Sequence, residues 1–264
     1  MQIIDLDPAH EPLYFVCLED WSADMQDAGD HKQAWYNCMK GKGLRVKLAL
    51  DDGGKTVGMI EYLPIEVSIA QGSGLYFINC IWVHGHRQGI GDQRKQGYGK
   101  ALLAAAENDA KASGAKGMAA HAMALPFWIP ASFYKKHGYT IAGKDGMMRL
   151  LFKPFTPDAL PPAMVLQRVK PAKNQNPGKV TVTYYLTGSC PACSIVYERA
   201  KKVVAEFGDR VVMETVDTMN RDTYLQCGNQ NCLFIEDRQA SYGPPLTADK
   251  IRKRIQKHLR RLSG

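Results

Sequence analysis

The sequence LYFINCIWV at residues 75–83, HGHRQGIGDQ at 84–93 and RKQGYGKALLAAA at 94–106 decides how the rest of the chain is read. The first part is an apolar run rich in β-branched and aromatic residues, and it reads as a buried strand. A polar, glycine-containing loop follows it. Behind Gly97 and Gly99 an apolar stripe at helical spacing begins at once, through Leu102, Leu103, Ala106 and Ala110. Strand, glycine loop and helix in this order make an anion site of the helix N-terminus, where free N–H groups point outward and the dipole favours negative charge. Gly97 and Gly99 remove Cβ atoms where a phosphate must approach closely. Arg94, Lys95 and Lys100 add positive charge.

Two familiar phosphate loops do not fit. A Walker loop ends in Gly-Lys-Ser/Thr, which is missing here. The dinucleotide fingerprint needs Gly-x-Gly-x-x-Gly, and position 102 is Leu. Arg94-Lys95-Gln96-Gly97-Tyr98-Gly99 instead resembles the Arg-x-x-Gly-x-Gly pyrophosphate loop of the GNAT acetyltransferases. In that family the loop follows the fourth strand and opens the third helix. Alone, the hexapeptide reads equally well as a basic glycine turn, so its surroundings carry the argument.

Upstream, residues 2–6 read as a strand, 11–17 and 24–39 as helices, and 45–50 and 57–62 as a hairpin around Asp51-Asp52-Gly53-Gly54. Downstream, 116–122 read as a strand, 130–137 as a short helix, and 140–141 and 147–152 as two last strands. This order resembles that of the GNAT fold. The segment Ala131-Ser132-Phe133-Tyr134-Lys135-Lys136-His137-Gly138-Tyr139 resembles the family's Phe-Tyr helix, which ends at glycine before an aromatic residue. Gly138 suits a helix stop.

The resemblance implies acetyl-coenzyme A (acetyl-CoA) as donor. Its pyrophosphate would rest on backbone N–H groups of Lys95, Gln96, Gly97, Tyr98, Gly99 and Lys100, with Arg94 also binding the coenzyme. Its pantetheine arm would pair with Ile81, Trp82 and Val83 like an added strand, next to a backbone N–H that serves as oxyanion donor. Tyr134 would face the departing thiolate. Attack by an amine also needs a base. Many members of the family place a Glu on the fourth strand, where this chain has Asn79 and Cys80. Glu61 is therefore the expected catalytic carboxylate, acting through a water. Glu66, His84 and His86 are the other candidates, and Cys80 reads as packing.

At 264 residues the chain has room for one or two domains. Charge separates two modules. Residues 1–160 hold 17 Lys+Arg against 17 Asp+Glu, while 161–264 hold 17 against 9 and carry the whole +8. Pro154, Pro157, Pro161, Pro162, Pro171 and Pro177 lie between them and predict an extended connector. No apolar run approaches the ~20 residues of a membrane span, and the N-terminus lacks a signal pattern, so a cytoplasmic protein with no membrane partner is expected. Seven cysteines with one Cys-x-x-Cys pair favour redox or metal chemistry over structural disulfides in that setting.

The second module reads as strand (179–186), Cys190-Pro191-Ala192-Cys193, helix to 207, strand (210–216), short helix (220–225), strand (233–236) and a last helix after Thr247. This order resembles the thioredoxin-like fold. The stretch Glu61-Tyr62-Leu63-Pro64-Ile65-Glu66, followed by FINCIWVHG, resembles a GNAT subgroup with a C-terminal YoaP-like domain. Cys190 at a helix start would gain thiolate character from the dipole, and Cys193 could resolve a mixed disulfide. The proline that thioredoxin relatives place before the third strand is missing, and Cys227 and Cys232 stand in that region. The four cysteines leave three readings open: dithiol chemistry, a zinc or other thiophilic metal site, or inert packing.

The last helix is basic (Lys250, Arg252, Lys253, Arg254, Lys257, Arg260, Arg261) with an ordinary apolar stripe, and it reads as a solvated face; nucleic acid is not the expected partner. Phe127-Trp128 would line the acceptor pocket or a homodimer contact.

The expected protein is α/β: a GNAT mixed sheet with flanking helices over 1–158, a Pro-rich linker over 159–178 and a smaller thioredoxin-like YoaP-like domain over 179–264. Its expected activity is N-acetylation of a small-molecule or protein amine by direct transfer. The competing readings are a thiol- or metal-binding sensor, or a disulfide oxidoreductase, with the GNAT domain as a coenzyme-binding scaffold.

Overall fold

The structure is a computed structural model. It describes residues 1–125, 129–166, 168–173, 175–240 and 245–262. Phe127 and Trp128 lie outside the described residues. The chain divides into two compact units, Met1–Trp21 with Tyr36–Leu166, and Ser22–Trp35 with Gln167–Gly264. Residues 22–35 thus pack with the second unit, through ion pairs Asp24–Arg199 and His31–Glu198.

In chain order the elements up to residue 166 are β1 (Gln2–Asp5), α1 (Glu11–Phe15), α2 (Ala23–Gln26), α3 (His31–Lys40), β2 (Arg45–Leu50), β3 (Thr56–Pro64), β4 (Ala70–Gln71), β5 (Leu75–Val83), α4 (Tyr98–Ala112), β6 (Gly117–Met123), α5 (Ala131–Lys136), β7 (Thr140–Asp145), β8 (Met148–Pro154) and β9 (Ala163–Met164). The single helix expected over 24–39 is two, because Gly29 takes a left-handed φ of 68° and breaks the run. The proline-rich stretch also supplies a strand: β9 pairs with β4 through Ala70↔Met164 and Gln71↔Ala163.

Seven strands of the first unit form one mixed sheet in the order β1-β2-β3-β5-β6-β8-β7. Neighbours run antiparallel except β5 and β6, which are parallel and joined through α4. Alternation along β3 and β5 sends Ile60, Tyr62, Ile78 and Ile81 to the face covered by α4, where they pack with Leu102, Leu103, Ala106 and Ala110. The opposite face carries Met59, Glu61 and Leu63, all at most 2% exposed.

Two irregularities shape the middle of this sheet. β5 pairs with β6 only from Leu75↔Gly117 to Ile78↔Ala120, so residues 79–83 have no β6 partner although β6 continues to Met123. Against β3 the register slips: Glu61 faces Cys80 and Tyr62 faces Ile78. Asn79 is therefore the extra residue of a β-bulge, which bends the strand where the two parallel neighbours part.

The second unit adds β10 (Val180–Leu186), α6 (Pro191–Ala205), β11 (Val211–Asp217), α7 (Arg221–Cys227), β12 (Cys232–Ile235), β13 (Arg238–Gln239) and α8 (Ala248–Leu262). The sheet order is β11-β10-β12-β13. β10 runs parallel to β11 through the α6 crossover and antiparallel to β12. Ile251 and Ile255 of α8 are fully buried in a core with Val180, Val182, Ala200 and Val203. Among the described residues no helix is long and apolar enough to cross a membrane.

Candidate active site

The anion cradle begins with backbone geometry. Lys95 has φ 65° and Gly97 has φ 92°, so two of three successive residues are left-handed before α4 starts. Such a turn aims successive N–H groups into one concavity. The first backbone bond of α4 is Ala101 N–H to Gly97 O at 3.0 Å, and the N-cap glycine offers no side-chain cap. The first amides of a helix have no intrahelical acceptor and carry its positive end.

Gly99 is instructive. A Cβ there would meet only Phe133 at 3.6 Å and Val83 at 3.8 Å, ordinary contact distances, and its φ is not left-handed. The chain's own packing does not demand glycine at this position.

The side chains expected to bind the coenzyme fall into separate groups. Tyr98 is 7% exposed and sits in the α4 core, so only its backbone can serve. Lys95, Gln96 and Lys100 are exposed, and Gln96 donates to Gln93 Oε1 at 3.1 Å. Arg94 forms a two-point pair with Asp92, Nε–Oδ1 2.8 Å and Nη2–Oδ2 2.7 Å. That pair holds the Asp92 carboxyl far below its ordinary range and raises the guanidinium. Arg94 is thus already oriented by a carboxylate. Ile81, Trp82 and Val83 lie on the part of β5 that β6 leaves unpaired. Their backbone groups form a strand edge of the kind that an extended chain can join.

Glu61 is 0% exposed. Its Oε2 accepts from the Tyr14 hydroxyl at 2.6 Å, and its Oε1 accepts from Asn79 Nδ2 at 2.6 Å. Tyr14 comes from α1 and is itself 0% exposed, its ring edge-on to Tyr36 at 5.7 Å. Burial first, and the Glu61 charge second, push the Tyr14 phenol well up. Tyr134 is 1% exposed on α5, packed on Phe133 and Tyr139 with ring centroids 5.3 Å away. Burial raises its phenol, and the neighbouring Cys80 thiol adds to the effect, so Tyr134 is protonated at any working pH. Gly138 takes φ 87° and ends the helix there.

The other base candidates are engaged elsewhere. Glu66 Oε1 accepts the Gly74 N–H at 2.7 Å and closes the turn after β3. His84 is 0% exposed; its Nδ1 faces Gly91 O at 2.8 Å and its Nε2 accepts from the Trp21 indole at 3.0 Å. With both nitrogens committed, His84 is a staple for the 84–93 loop. His86 pairs with Glu19 at 3.2 Å. Sequence reading weighed Asn79 only as a missing carboxylate and left Tyr14 inside a helix. The partners of Glu61 are separated from it by 18 and 47 residues, so no local pattern joins them.

Residues 43–141 match the family model described as the acetyltransferase (GNAT) domain. This match, over 99 of the 264 residues, supports a GNAT acetyltransferase domain within the chain. The match spans Glu61, the β5 edge, the cradle and Tyr134, and it bears out the expected N-acetyltransferase class. Among curated proteins, none matches the chain significantly. Solved structures resemble it more distantly. Aminoglycoside 6'-acetyltransferase type Ii is 20% identical, covering 60% of this chain and 99% of that one, with a TM-score of 0.45. A GNAT family acetyltransferase from Brucella melitensis, in complex with acetyl-CoA, is 18% identical over 61% and 94%, with a TM-score of 0.41. A GNAT family N-acetyltransferase from Escherichia coli, in complex with CoA, is 15% identical over 62% and 86%, with a TM-score of 0.44.

In the second unit Cys190 is the N-cap of α6, with extended φ and ψ, and Pro191 takes the first helical position. Cys193 follows on the first turn, and its carbonyl accepts the Tyr184 hydroxyl at 2.7 Å. Cys232 opens β12 opposite Tyr185, and Cys227 closes α7. Among the described residues no disulfide joins the seven cysteines. Burial, with Cys227 beside it, pushes Cys232 up to about 12. The zinc set that the spacings allowed is not assembled: among the described residues no three of His, Cys, Asp or Glu gather to hold a metal ion. At pH 8 we expect iodoacetamide to label Cys232 at least about tenfold more slowly than the exposed Cys38. Site-resolved mass spectrometry reads the ratio.

Proposed function

We propose that the protein is an acetyl-CoA-dependent N-acetyltransferase that acylates an amine by direct transfer. The observation that carries the reading is the coincidence, within one matched domain, of a left-handed amide cradle and an unpaired strand edge. Acetyl-CoA supplies the activated acyl carbon. The amide cradle at 94–100 would hold the pyrophosphate, and the edge at Ile81, Trp82 and Val83 would hold the pantetheine arm.

In the transfer a C–N bond forms at the acyl carbon and the C–S bond breaks. The attacking amine must lose a proton, and Glu61 is its acceptor through a water, because the carboxylate is buried beside the bulge where β5 leaves β6. Tyr134 faces the leaving sulfur. A raised phenol is a weaker acid than a thiol, so Tyr134 acts by donating a hydrogen bond to the thiolate as charge develops. The thiolate then takes its proton from solvent.

Tyr134→Phe tests this role. Loss of one hydrogen bond to a charged group, about 1.5–3 kcal/mol, lowers kcat about 10- to 150-fold, while the Kd for acetyl-CoA stays within about twofold. Unchanged kcat across a panel of amines removes Tyr134 from the chemistry.

For the second unit we read a thioredoxin-like domain over 179–264, joined through a linker at 159–178 to a transferase domain over 1–158. The strand order β11-β10-β12-β13, the α6 crossover and Cys190 at the α6 N-cap support that reading.

A further inference from the structure

We propose that Tyr139, gripped by the Glu107–Lys153 ion pair, is the positioning residue that sets Tyr134 against the leaving sulfur. The proposal rests on the role given to Tyr134 above and brings in three residues which that role does not use.

Tyr134 stands on a short support. The helix α5 has six residues, and the chain leaves it through Gly138 at φ 87°. So short a helix is not stable by itself, and what fixes Tyr134 is what packs on it. Its carbonyl accepts the His137 N–H at 2.9 Å and the Tyr139 N–H at 3.2 Å, which ties the turn to the helix. Its ring meets the rings of Phe133 and Tyr139 edge-on, at 74° and 64°. Phe133 shares α5 and moves with it. Tyr139 lies beyond Gly138, so it is a reference for the Tyr134 ring that the helix does not carry.

Two other elements hold Tyr139, which is 2% exposed. Lys153 of β8 sets its Nζ 5.6 Å from the centre of the Tyr139 ring, and its Cε lies 3.6 Å from where a Gly138 Cβ would stand. The same Nζ donates to Oε2 of Glu107, on α4, at 2.7 Å. Glu107 is 7% exposed, and solvent screens a pair at that depth only weakly. The Tyr139 hydroxyl lies beside Glu107, whose charge adds to burial in pushing the phenol well up. Yet neither this hydroxyl nor Glu107 Oε1 makes a hydrogen bond among the described residues. The grip is therefore on the ring, through packing and the ammonium, and not on the hydroxyl.

Glu107 also gives the grip its reference point. It follows Gly99 by eight residues on α4, about 12 Å along the axis. One helix thus carries the proposed pyrophosphate seat in its first turn and, further on, the carboxylate that locates Tyr134 through Lys153 and Tyr139. The two ends of the coenzyme are registered against a single element.

The experiment is a double-mutant cycle. Tyr139→Leu, Tyr139→Phe and the paired change Glu107→Gln with Lys153→Met are each made in wild type and in Tyr134→Phe, and checked by circular dichroism and thermal unfolding. The paired change leaves no buried charge without its partner. Rates are followed by thiol release from acetyl-CoA, with the best acceptor from a panel of tyramine, spermidine and Nα-acetyl-lysine. We expect Tyr139→Leu to lower kcat about 5- to 30-fold and the paired change about 3- to 10-fold, within the span that a misplacement of about 1 Å costs. The acetyl-CoA Kd, measured by calorimetry, should stay within about twofold. Tyr139→Phe, which loses a hydroxyl with no bond to break, should stay within about threefold of wild type. In the Tyr134→Phe background all three should change kcat by less than about twofold, because the group they position is gone. Equal fold-losses in both backgrounds, in whichever disruptive variant folds, overturn the proposal and leave Tyr134 in its role. A loss in Tyr139→Phe as large as in Tyr139→Leu overturns it too. Unchanged kcat in Tyr134→Phe alone overturns the proposal together with the role of Tyr134, while turnover by wild type keeps the acetyltransferase reading. No turnover by wild type with any amine overturns that reading as well.

Discussion

Glu61→Gln is expected to lower kcat/KM about 10²- to 10³-fold, the span that general-base catalysis contributes, while acetyl-CoA binds as before. The substitution keeps shape and polarity in a site with no exposure. The amide oxygen can still accept from one of Tyr14 and Asn79, but the NH₂ group opposes the other donor. It cannot take the proton of an attacking amine. The neutral side chain also removes the second-largest cause of the raised Tyr14 phenol. The buried site loses one charge and retains its volume, so the loss of rate should exceed any loss of stability. The measurement is kcat/KM against the best amine of a panel, beside thermal unfolding. A variant that retains wild-type rates excludes Glu61 as the base.

Gly99→Val is expected to weaken acetyl-CoA binding about 30- to 150-fold, the range that an overpacking cost of about 2–3 kcal/mol implies, with little change in thermal stability. The two effects separate because of where the Cβ would fall. In the free protein it meets Phe133 and Val83 at 3.6 and 3.8 Å, and the backbone there is not left-handed. A pyrophosphate on the α4 amides would meet the branched side chain directly. Gly97→Ala would not separate them, because φ of 92° at that position strains the loop itself. Calorimetric titration reads the affinity, and a Kd within threefold of wild type would place the pyrophosphate elsewhere.

Sequence pattern carried part of this account well. Strand β5, the glycine loop and α4 were visible because apolar periodicity changes from strand to helix across two glycines, and those signals are local. Gly138 as a helix stop was visible for the same reason. The double-faced burial of β3 was not, since its run Met59-Ile60-Glu61-Tyr62-Leu63 alternates in chemistry less than in position.

The interactions around Glu61 were beyond reach for a different cause. A hydrogen bond across 47 residues depends on a helix end and a bulge, and each is set by packing. Likewise His84 was one base candidate in a long loop, and its contacts to Trp21, 63 residues away, and to Gly91 O show that its ring is committed. The two-residue strands β4 and β9 carry too few residues for any period to register. Spacing alone also overstated the cysteines: the x2 and x4 intervals suit zinc, but among the described residues the fold gathers no three side chains that could hold a metal ion.

The measurement that tests the central claim most directly is thiol release from acetyl-CoA by the full-length wild-type protein, with and without a panel of primary amines. The account predicts amine-dependent release of one thiol per amide formed, with the acetylated amine confirmed by mass spectrometry. Acetyl-CoA binding without amine-dependent release from any member of the panel would contradict it and leave the domain a coenzyme-binding scaffold.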